Sequence, residues 1–522
     1  MPAKLVVLGI DAATPLMLRM AAEGRLPAIR SLIDRGVRGS VRSVEGLFVG
    51  STWPSFYTGL HPGHHGFYRI DQLSSGSYDF FEPLRTEDGL GGVPFWRHAS
   101  DEGRRVAVLD VPLTRIENDL NGIQVVEWGA HDAAVGFGAW PPALAQEVLD
   151  TVGEHPHPST CVSVRSTPAE FRAFADALEQ GVRKKVELTL DLLDREEWDL
   201  FVQVFTEVHC AGHHCWHIHD PAHPAHDPEL RREVGDPVER LLLEVDEAVG
   251  AIVDRAPDAT FLLISNHGMR HFHGASFVLP EILFRLGVAA RRPRPPRSMG
   301  DLAKGVARRV WRTLPDGLRA SLRSTRERLG PQARPGSRVW VDVSRSKCFS
   351  IPNGFPVAGI RLNLKGREPQ GVLDGNDEVE AFCSELTKDL LEITDCRSGR
   401  PLVQQVIRTD DLYPGPYRDA LPDLLVEWAS DVPTGSQVHA GGRAARVACT
   451  SPKIGRVEGT NRYMRTGGHD LGGAFVLVDS RWAPGEVEDP VSVLDFYPTI
   501  CRILDVSIPE VDGTPLPVRA EV

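Results

Sequence analysis

Cysteine is scarce in this chain and shows no pairing pattern. Eight cysteines occur among 522 residues, and no two of them have the Cys-X-X-Cys spacing. Small secreted domains that depend on disulfides carry many more cysteines for their length. The content and spacing therefore favour reduced cysteines and a cytoplasmic location over a disulfide framework.

Long hydrophobic runs are also missing. No stretch of 18 or more apolar residues is present, so we expect no membrane-spanning helix. The apolar segment 5–10 is short, follows a single basic residue, Lys4, and directly precedes Asp11. These features favour a buried strand over a signal peptide.

An excess of positive charge is absent as well. The net charge is −13, which excludes a general nucleic-acid-binding protein while leaving local phosphate binding through metal ions open. Hydrophobic residues make up 42% of the chain and charged residues 25%, as in ordinary globular proteins. We therefore expect a folded globular protein that is not a general nucleic-acid binder.

Apolar segments that end in polar, ligand-type residues recur along the chain. Asp11 follows the segment 4–10, and Asn266 and His267 follow the segment 260–264 by two and three positions. In open α/β sheets, binding sites lie at the carboxyl ends of the strands. The pattern predicts such a sheet, although Asp11 taken alone could equally be a helix cap or a turn residue.

Thr52 lies where a strand or loop passes into a helix. Pro54 suits the first helical turn, because its missing N–H would have no partner there. A hydroxyl at a helix N-terminus lies near the positive end of the dipole, which favours an alkoxide and an incoming phosphate. The alternative for Thr52 is an ordinary helix cap.

Histidines are concentrated after the predicted strand 198–205. Seven of the 19 histidines lie between positions 209 and 226. His209 and His213 are four residues apart and would share one helix face, a spacing that binds divalent metals. A polar loop with interchangeable histidines is the alternative.

Three further residues are candidates for contact with a substrate. Glu207 could supply a carboxylate beside the histidine pair, or it could be a polar residue at the end of the strand. His271 and His273 follow His267 closely, and each could contact a substrate or lie on the surface.

The segment 290–335 differs in composition from the rest of the chain. It is rich in arginine and proline, and it is too interrupted by proline to belong to a sheet. It could be a lid over an anionic substrate, a surface patch or a mobile insertion. We therefore predict one catalytic domain, residues 1–289 and 336–522, that carries this basic insertion.

Taken together, these motifs resemble the alkaline phosphatase superfamily, and within it the type I phosphodiesterase / nucleotide pyrophosphatase family. The resemblance covers residues 4 to 514 apart from the insertion. Its motifs are Gly9-Ile10-Asp11, Thr52-Trp53-Pro54-Ser55 with Thr58-Gly59, Pro62-Gly63-His64-His65-Gly66, His209 with His213, Asn266-His267-Gly268-Met269, Gly468-His469, and Leu494-Asp495 with Asp512-Gly513.

The resemblance implies an α/β fold with a mostly parallel central sheet flanked by helices, and a two-metal site. Zinc is the expected metal and manganese the second choice. The ligands of one ion would be Asp11, Thr52, Asn266 and His267. The ligands of the other ion would be His209, His213 and His469. Thr52 would be the nucleophile, since metal coordination lowers the pKa of a hydroxyl.

Two positions depart from the family pattern. The family usually has Asp where this chain has His209 and Asn266. Anionic ligands offset the charge of a metal ion, so we expect weaker binding or a different metal preference here.

We therefore predict a metal-dependent hydrolase of phosphate esters, namely a phosphodiesterase or nucleotide pyrophosphatase. One alternative is a phosphonate, phosphomonoester or sulfate ester hydrolase, although the sequence after Thr52 lacks the arginine of the sulfatase motif C/S-x-P-x-R. The other alternative is a binding protein that has kept the fold and lost the activity.

Overall fold

The structure of the protein is a computed structural model. It describes residues 3–86, 89–129, 133–157, 165, 167–292, 339–431, 434–435, 445–461 and 465–517. The predicted insertion 290–335 lies outside the described residues from position 293 onward, so its role as a lid and the division into domains stay predictions.

Helices cover both faces of a central sheet. In the described residues they are α1 (Leu16–Ala22), α2 (Pro27–Arg35), α3 (Phe48–Thr58), α4 (Pro62–His65), α5 (Phe95–Asp101), α6 (Ala143–Val152), α7 (Pro168–Arg195), α8 (Glu207–His219), α9 (Pro228–Val234), α10 (Pro237–Arg255), α11 (Leu279–Arg285), α12 (Asn376–Leu391), α13 (Thr409–Leu412) and α14 (Phe496–Leu504). Among these helices, none has both the length and the apolar character needed to cross a membrane.

Strands form one large sheet and several small ones. They are β1 (Ala3–Ile10), β2 (Val37–Arg42), β3 (Gln72–Leu73), β4 (Phe80–Phe81), β5 (Val106–Leu109), β6 (Gly122–Val126), β7 (Gly138–Trp140), β8 (Trp198–Phe205), β9 (Thr260–Ser265), β10 (Gly268–His271), β11 (Cys348–Ile351), β12 (Val357–Leu362), β13 (Thr394–Asp395), β14 (Val403–Arg408), β15 (Leu424–Trp428), β16 (Arg446–Ser451), β17 (Gly455–Thr460), β18 (Gly467–Asp470), β19 (Gly473–Val478), β20 (Gly485–Glu486) and β21 (Val491–Ser492).

The large sheet has the order β20–β2–β19–β9–β1–β8–β5–β6–β7, and β21 also pairs with β2. Strands β9, β1, β8, β5 and β6 are parallel to one another. Strands β19 and β7 run antiparallel to their neighbours. The predicted α/β class with a mostly parallel central sheet flanked by helices is therefore confirmed.

The apolar sequence of β1 follows from helices on both of its faces. Val6 and Leu8 pack with α1, α2, α7, α8 and α10, whereas Leu5 and Val7 pack with α3, α5 and α14. Successive side chains of a strand point to opposite faces. A strand between two helical layers therefore reads as an unbroken apolar run, which is why β1, β8 and β9 were predictable.

Helices α9 and α10 are separate because Gly235 adopts a positive φ of 82° and Asp236 caps the second helix. The predicted start of a helix at Thr52 is wrong. Helix α3 begins at Phe48, four residues before Thr52, and Pro54 lies inside it. Its cap residue Leu47 makes no side-chain hydrogen bond, so no polar cap marks this start in the sequence.

A second lobe packs beside the central sheet. It contains the antiparallel sheet β11–β12–β15–β14 and the smaller sheet β13–β16–β17. A buried ion-pair cluster lies within it: Arg367 donates to both oxygens of Asp423 at 2.7 Å, and Arg361 donates to Glu368 at 2.8 Å. Burial alone would raise the pKa of Asp423, but the hydrogen bonds and charges of Arg367, Arg361 and Arg418 lower it to about 2.

We expect Asp423→Asn to destabilise the protein by about 3 kcal/mol near neutral pH, because Arg367 would lose its buried partner. Since the pKa of Asp423 is depressed below its ordinary 3.8, its stabilisation is present above that value and is lost as the pH falls through about 2. Urea unfolding between pH 7 and pH 2 measures both effects. The control is Asp419→Asn, an exposed neighbour, and equal stability of the two variants would contradict the prediction.

Candidate active site

A cleft that is partly open to solvent lies at the carboxyl ends of the parallel strands. Asp11 follows β1, helix α8 follows β8, and His267 follows β9. The small sheet β10–β18 contributes His469, which lies opposite Met269 in the register. The sheet thereby gathers side chains that are far apart in the sequence, as open α/β sheets do.

The predicted histidine pair lies in this cleft. His209 and His213 occupy one face of α8, and their Nε2 atoms are 2.8 Å apart. The ring of His469 is centred 4.7 Å from that of His209 and 4.9 Å from that of His213. The ring of His267 is 4.7 Å from that of His469. The structure therefore brings four of the predicted metal ligands together.

Asp11 orients the first histidine of the pair. Its Oδ2 atom is 2.6 Å from Nδ1 of His209, and its Oδ1 accepts a hydrogen bond from the indole of Trp53 at 3.1 Å. A carboxylate can only accept when ionised, so Nδ1 of His209 carries a proton and Nε2 is the nitrogen that faces His213 and the cleft. Carboxylate–histidine pairs of this kind commonly hold metal-binding imidazoles in the correct tautomer.

The donor set fits a divalent metal ion. Nitrogen atoms of His209, His267 and His469 all lie within 4.8 Å of one another, and imidazole nitrogen is a preferred ligand of zinc. Asn266 is fully buried beside them, and neither its Oδ1 nor its Nδ2 has a hydrogen-bond partner among the described residues. Buried polar groups without partners are costly, so Asn266 also suits a site that receives a ligand.

The Thr52 hydroxyl does not line the cleft. It donates to the carbonyl oxygen of Phe48 at 2.6 Å, and the hydroxyl of Ser43 lies 2.5 Å away. Helix α3 instead presents Val49, Gly50 and Trp53 to the cleft. Its predicted nucleophilic role stays a prediction, while its predicted place at the start of a helix is wrong for the reason given above.

Glu207 belongs to a buried ion-pair network that connects the start of α8 with α7 and the end of β5. Its Oε1 atom lies 2.9 Å from Nζ of Lys185 and 3.3 Å from Nε2 of His155, and Lys185 also contacts Asp110 at 3.1 Å. Burial opposes the charge of Glu207, yet Lys185 and His155 lower its pKa to about 2. Lys185 is buried on α7, and these two carboxylates offset its charge.

His271 and His273 also lie outside the lining of the cleft. Burial lowers the pKa of His271 to about 4 and that of His273 to about 3, so both are neutral near pH 7. The ring of His273 stacks on Trp428 of the second lobe at 6.2 Å. Their predicted contact with a substrate stays a prediction.

Sequence reasoning missed several residues of the cleft, among them Arg465 and Val49. Arg465 is buried, lines the cleft and lies with Nη1 at 3.0 Å from Nε2 of His213. Its position four residues before His469 was the available signal. Val49 was missed because the start of α3 was placed too late.

The protein is therefore an α/β protein with a mostly parallel sheet. The cleft at the carboxyl ends of its strands is lined by histidines and one carboxylate, which are residue types that bind metal ions. The model of the type I phosphodiesterase / nucleotide pyrophosphatase family matches residues 5–432. The chain belongs to this family, whose members are phosphoric ester hydrolases, and the predicted family is confirmed.

Solved structures of low sequence identity align along the whole chain. Murine ectonucleotide pyrophosphatase / phosphodiesterase 5 is 10% identical, with a TM-score of 0.46, and the alignment covers 98% of this chain and 97% of that one. An inactive variant of the same murine enzyme in complex with AMP is 11% identical, with a TM-score of 0.47 and the same coverage. The search of curated proteins finds no match.

We expect Asp11→Asn to weaken zinc binding about 10- to 100-fold, because the neutral amide no longer fixes the proton of His209 on Nδ1. Competition with a chromophoric chelator measures the affinity. Asp220→Asn, at the C-terminal cap of the same helix, is the control and should bind zinc as the unmodified protein does. Equal affinities for all three proteins would show that Asp11 does not support a metal site.

Proposed function

We propose that this protein hydrolyses phosphodiesters of small molecules in the cleft around His209, His267 and His469, with a bound divalent ion. Membership of the family supports phosphodiester hydrolysis. The proposed location of the activity rests on one observation: three imidazoles meet in the cleft, and one of them, His209, is held by the buried Asp11. Zinc suits these donors best and manganese is the second choice.

His209, His267 and His469 would hold the ion, and Asp11 would keep the proton of His209 away from the binding nitrogen. The ion, when bound, would withdraw charge from the phosphoryl oxygens. Apolar side chains around it, including Trp53, would exclude bulk water and leave room for the organic part of an ester and one attacking water. The other large side chains of this kind are Tyr68, Phe272 and Phe355.

We propose water as the attacking group in place of the predicted Thr52. The wall formed by α3 carries Val49, Gly50 and Trp53, none of which has a nucleophilic group. The single proton of the Thr52 hydroxyl is donated to Phe48 inside the helix. In this reaction the water oxygen forms a bond to phosphorus, the bond to one ester oxygen breaks, and a proton from the water passes to the leaving alcohol.

The lack of a nucleophilic group among Val49, Gly50 and Trp53 on the α3 wall also favours a second candidate function. A cleft whose α3 wall has no hydroxyl could serve a protein that binds phosphate esters without turning them over. The predicted alternatives with a phosphonate, monoester or sulfate ester substrate share the cleft and are decided by the same assays. The cytoplasmic location stays a prediction.

Hydrolysis of bis-p-nitrophenyl phosphate, followed with and without a chelator, tests the proposed activity. We expect chelator-sensitive turnover that falls by more than about 100-fold in His469→Ala, together with loss of bound metal measured by elemental analysis. His226→Ala is the control, since that side chain bonds to a backbone carbonyl outside the cleft. A protein that binds no metal and shows no turnover after divalent ions are added would leave the binding protein as the better reading.

Thr52→Val tests the nucleophile. We expect turnover within about tenfold of the unmodified protein, because the change removes a hydrogen bond inside α3 and only about 1 kcal/mol of stability. Thr58→Val is a matched control, since its hydroxyl makes the same kind of bond to Pro54 in the same helix. A loss of more than about 1,000-fold confined to Thr52→Val would restore Thr52 as the nucleophile.

The configuration at phosphorus gives an independent answer with an isotopically chiral substrate. Direct attack by water is a single displacement and should invert the configuration. A covalent threonine intermediate requires two displacements, and retention would therefore contradict attack by water.

A further inference from the structure

Arg465 is held rigidly in the cleft by the segment that follows it. The backbone N–H of Thr466 donates to the carbonyl of His213 at 2.9 Å, and Nδ1 of His213 is 2.9 Å from the carbonyl oxygen of Gly467. A Cβ atom on Gly467 would lie 2.0 Å from the backbone oxygen of Gly212, so only glycine permits this approach. Helix α8 and the segment 465–469 therefore form one unit.

The contact between Arg465 and His213 has a defined direction. The Gly467 carbonyl can only accept, so Nδ1 of His213 donates to it. The guanidinium can only donate, so the lone pair on Nε2 of His213 accepts from Arg465 at 3.0 Å. The same nitrogen also lies 2.8 Å from Nε2 of His209. A permanent cation and a second imidazole therefore both contact Nε2 of His213, at the position where the sequence predicts a ligand of the second metal ion.

The charge balance of the cleft also bears on the number of metal ions. Asp11 is the single carboxylate among the described residues that line it. Two arginines line it as well, namely Arg465 and Arg69, and the charge of Arg69 is offset by an ion pair with Asp71. Two divalent ions would add four positive charges beside a buried guanidinium, with one negative charge to offset them. One ion together with Arg465 reduces this repulsion and still leaves a site that attracts an anion.

We propose that Arg465 takes the place of a second metal ion: the cleft binds one divalent cation, and the guanidinium binds the phosphoryl oxygens of the substrate. This inference rests on the proposed function. The planar fork of arginine donors matches two oxygens of a phosphate, which a lysine ammonium cannot do in the same way. Arg465 is thus a substrate-binding residue that neither the family pattern nor the spacing of the histidines reveals.

Elemental analysis of the full-length protein, dialysed after loading with excess zinc, tests the metal count. We expect one equivalent in the unmodified protein and one in Arg465→Met. Arg465→Asp replaces the cation with a carboxylate in the same place, and we expect it to raise the count towards two. Two equivalents in the unmodified protein would overturn the inference while leaving the proposed function intact.

Calorimetric binding of inorganic phosphate to the zinc-loaded protein tests the role of the guanidinium. We expect Arg465→Met to weaken phosphate binding at least 30-fold at an unchanged metal count, and Arg465→Lys to restore part of the loss. Arg408→Met, which removes an arginine paired with Glu380 in the second lobe, should bind phosphate normally. Unchanged phosphate affinity in Arg465→Met would overturn the inference.

The two proposals fail in different ways. An unmodified protein that binds no zinc and hydrolyses no diester contradicts the proposed function itself. One zinc equivalent with diester hydrolysis, but with phosphate affinity independent of Arg465, contradicts only the assignment of Arg465. Circular dichroism of each variant separates these results from loss of folding, and Arg465→Lys keeps the test decisive if Arg465→Met does not fold.

Discussion

The contact between Asp11 and His209 is the interaction on which the cleft depends. The two residues are 198 positions apart, and they meet because β1 and β8 pair in parallel with Ile10 opposite Phe205. The backbone N–H of Asp11 extends this pairing by donating to the carbonyl of Phe205 at 2.9 Å. A shift of register by one residue would turn every side chain of β1 to the opposite face and move Asp11 away from α8.

A buried charge network lies at the start of α8, the helix that carries His209. Lys185 on α7 contacts Glu207 at the first position of α8 and Asp110 after β5. An ion pair in such surroundings gives little net stability, but removal of one partner leaves the other charge buried and unpaired. The network therefore fixes where α8 begins, and with it the direction in which His209 and His213 face.

The parts of the fold that could be predicted are those with a local signal. Strands β1, β8 and β9 are apolar on both faces, and the four-residue spacing of His209 and His213 fixes a common helix face. The polar residues after β1 and β9 were placed at the site by a general rule about parallel sheets. These signals need no knowledge of distant contacts.

The parts that could not be predicted depend on distant contacts. The start of α3 has no polar cap, so Val49 was not recognised as a cleft residue. Lys185 reads as one more charge on an amphipathic helix, because its carboxylate partners lie on two other elements. Arg465 belongs to no recognisable motif. Its place in the cleft is apparent only from its contact with His213, which is 252 positions away.

The close approach of Gly212 and Gly467 has a consequence for how this cleft could change over evolution. A methyl group at position 467 would push α8 away from β18, and the histidines on the two elements would separate together. Gly467 has no side chain to offer a substrate, yet it should resist replacement as strongly as the ligands themselves, whereas a Cβ atom at Gly212 would meet only the side chain of Met269. We expect the polar positions of the cleft to tolerate replacement better than Gly467, because charge can be exchanged there while the spacing between the two elements is kept.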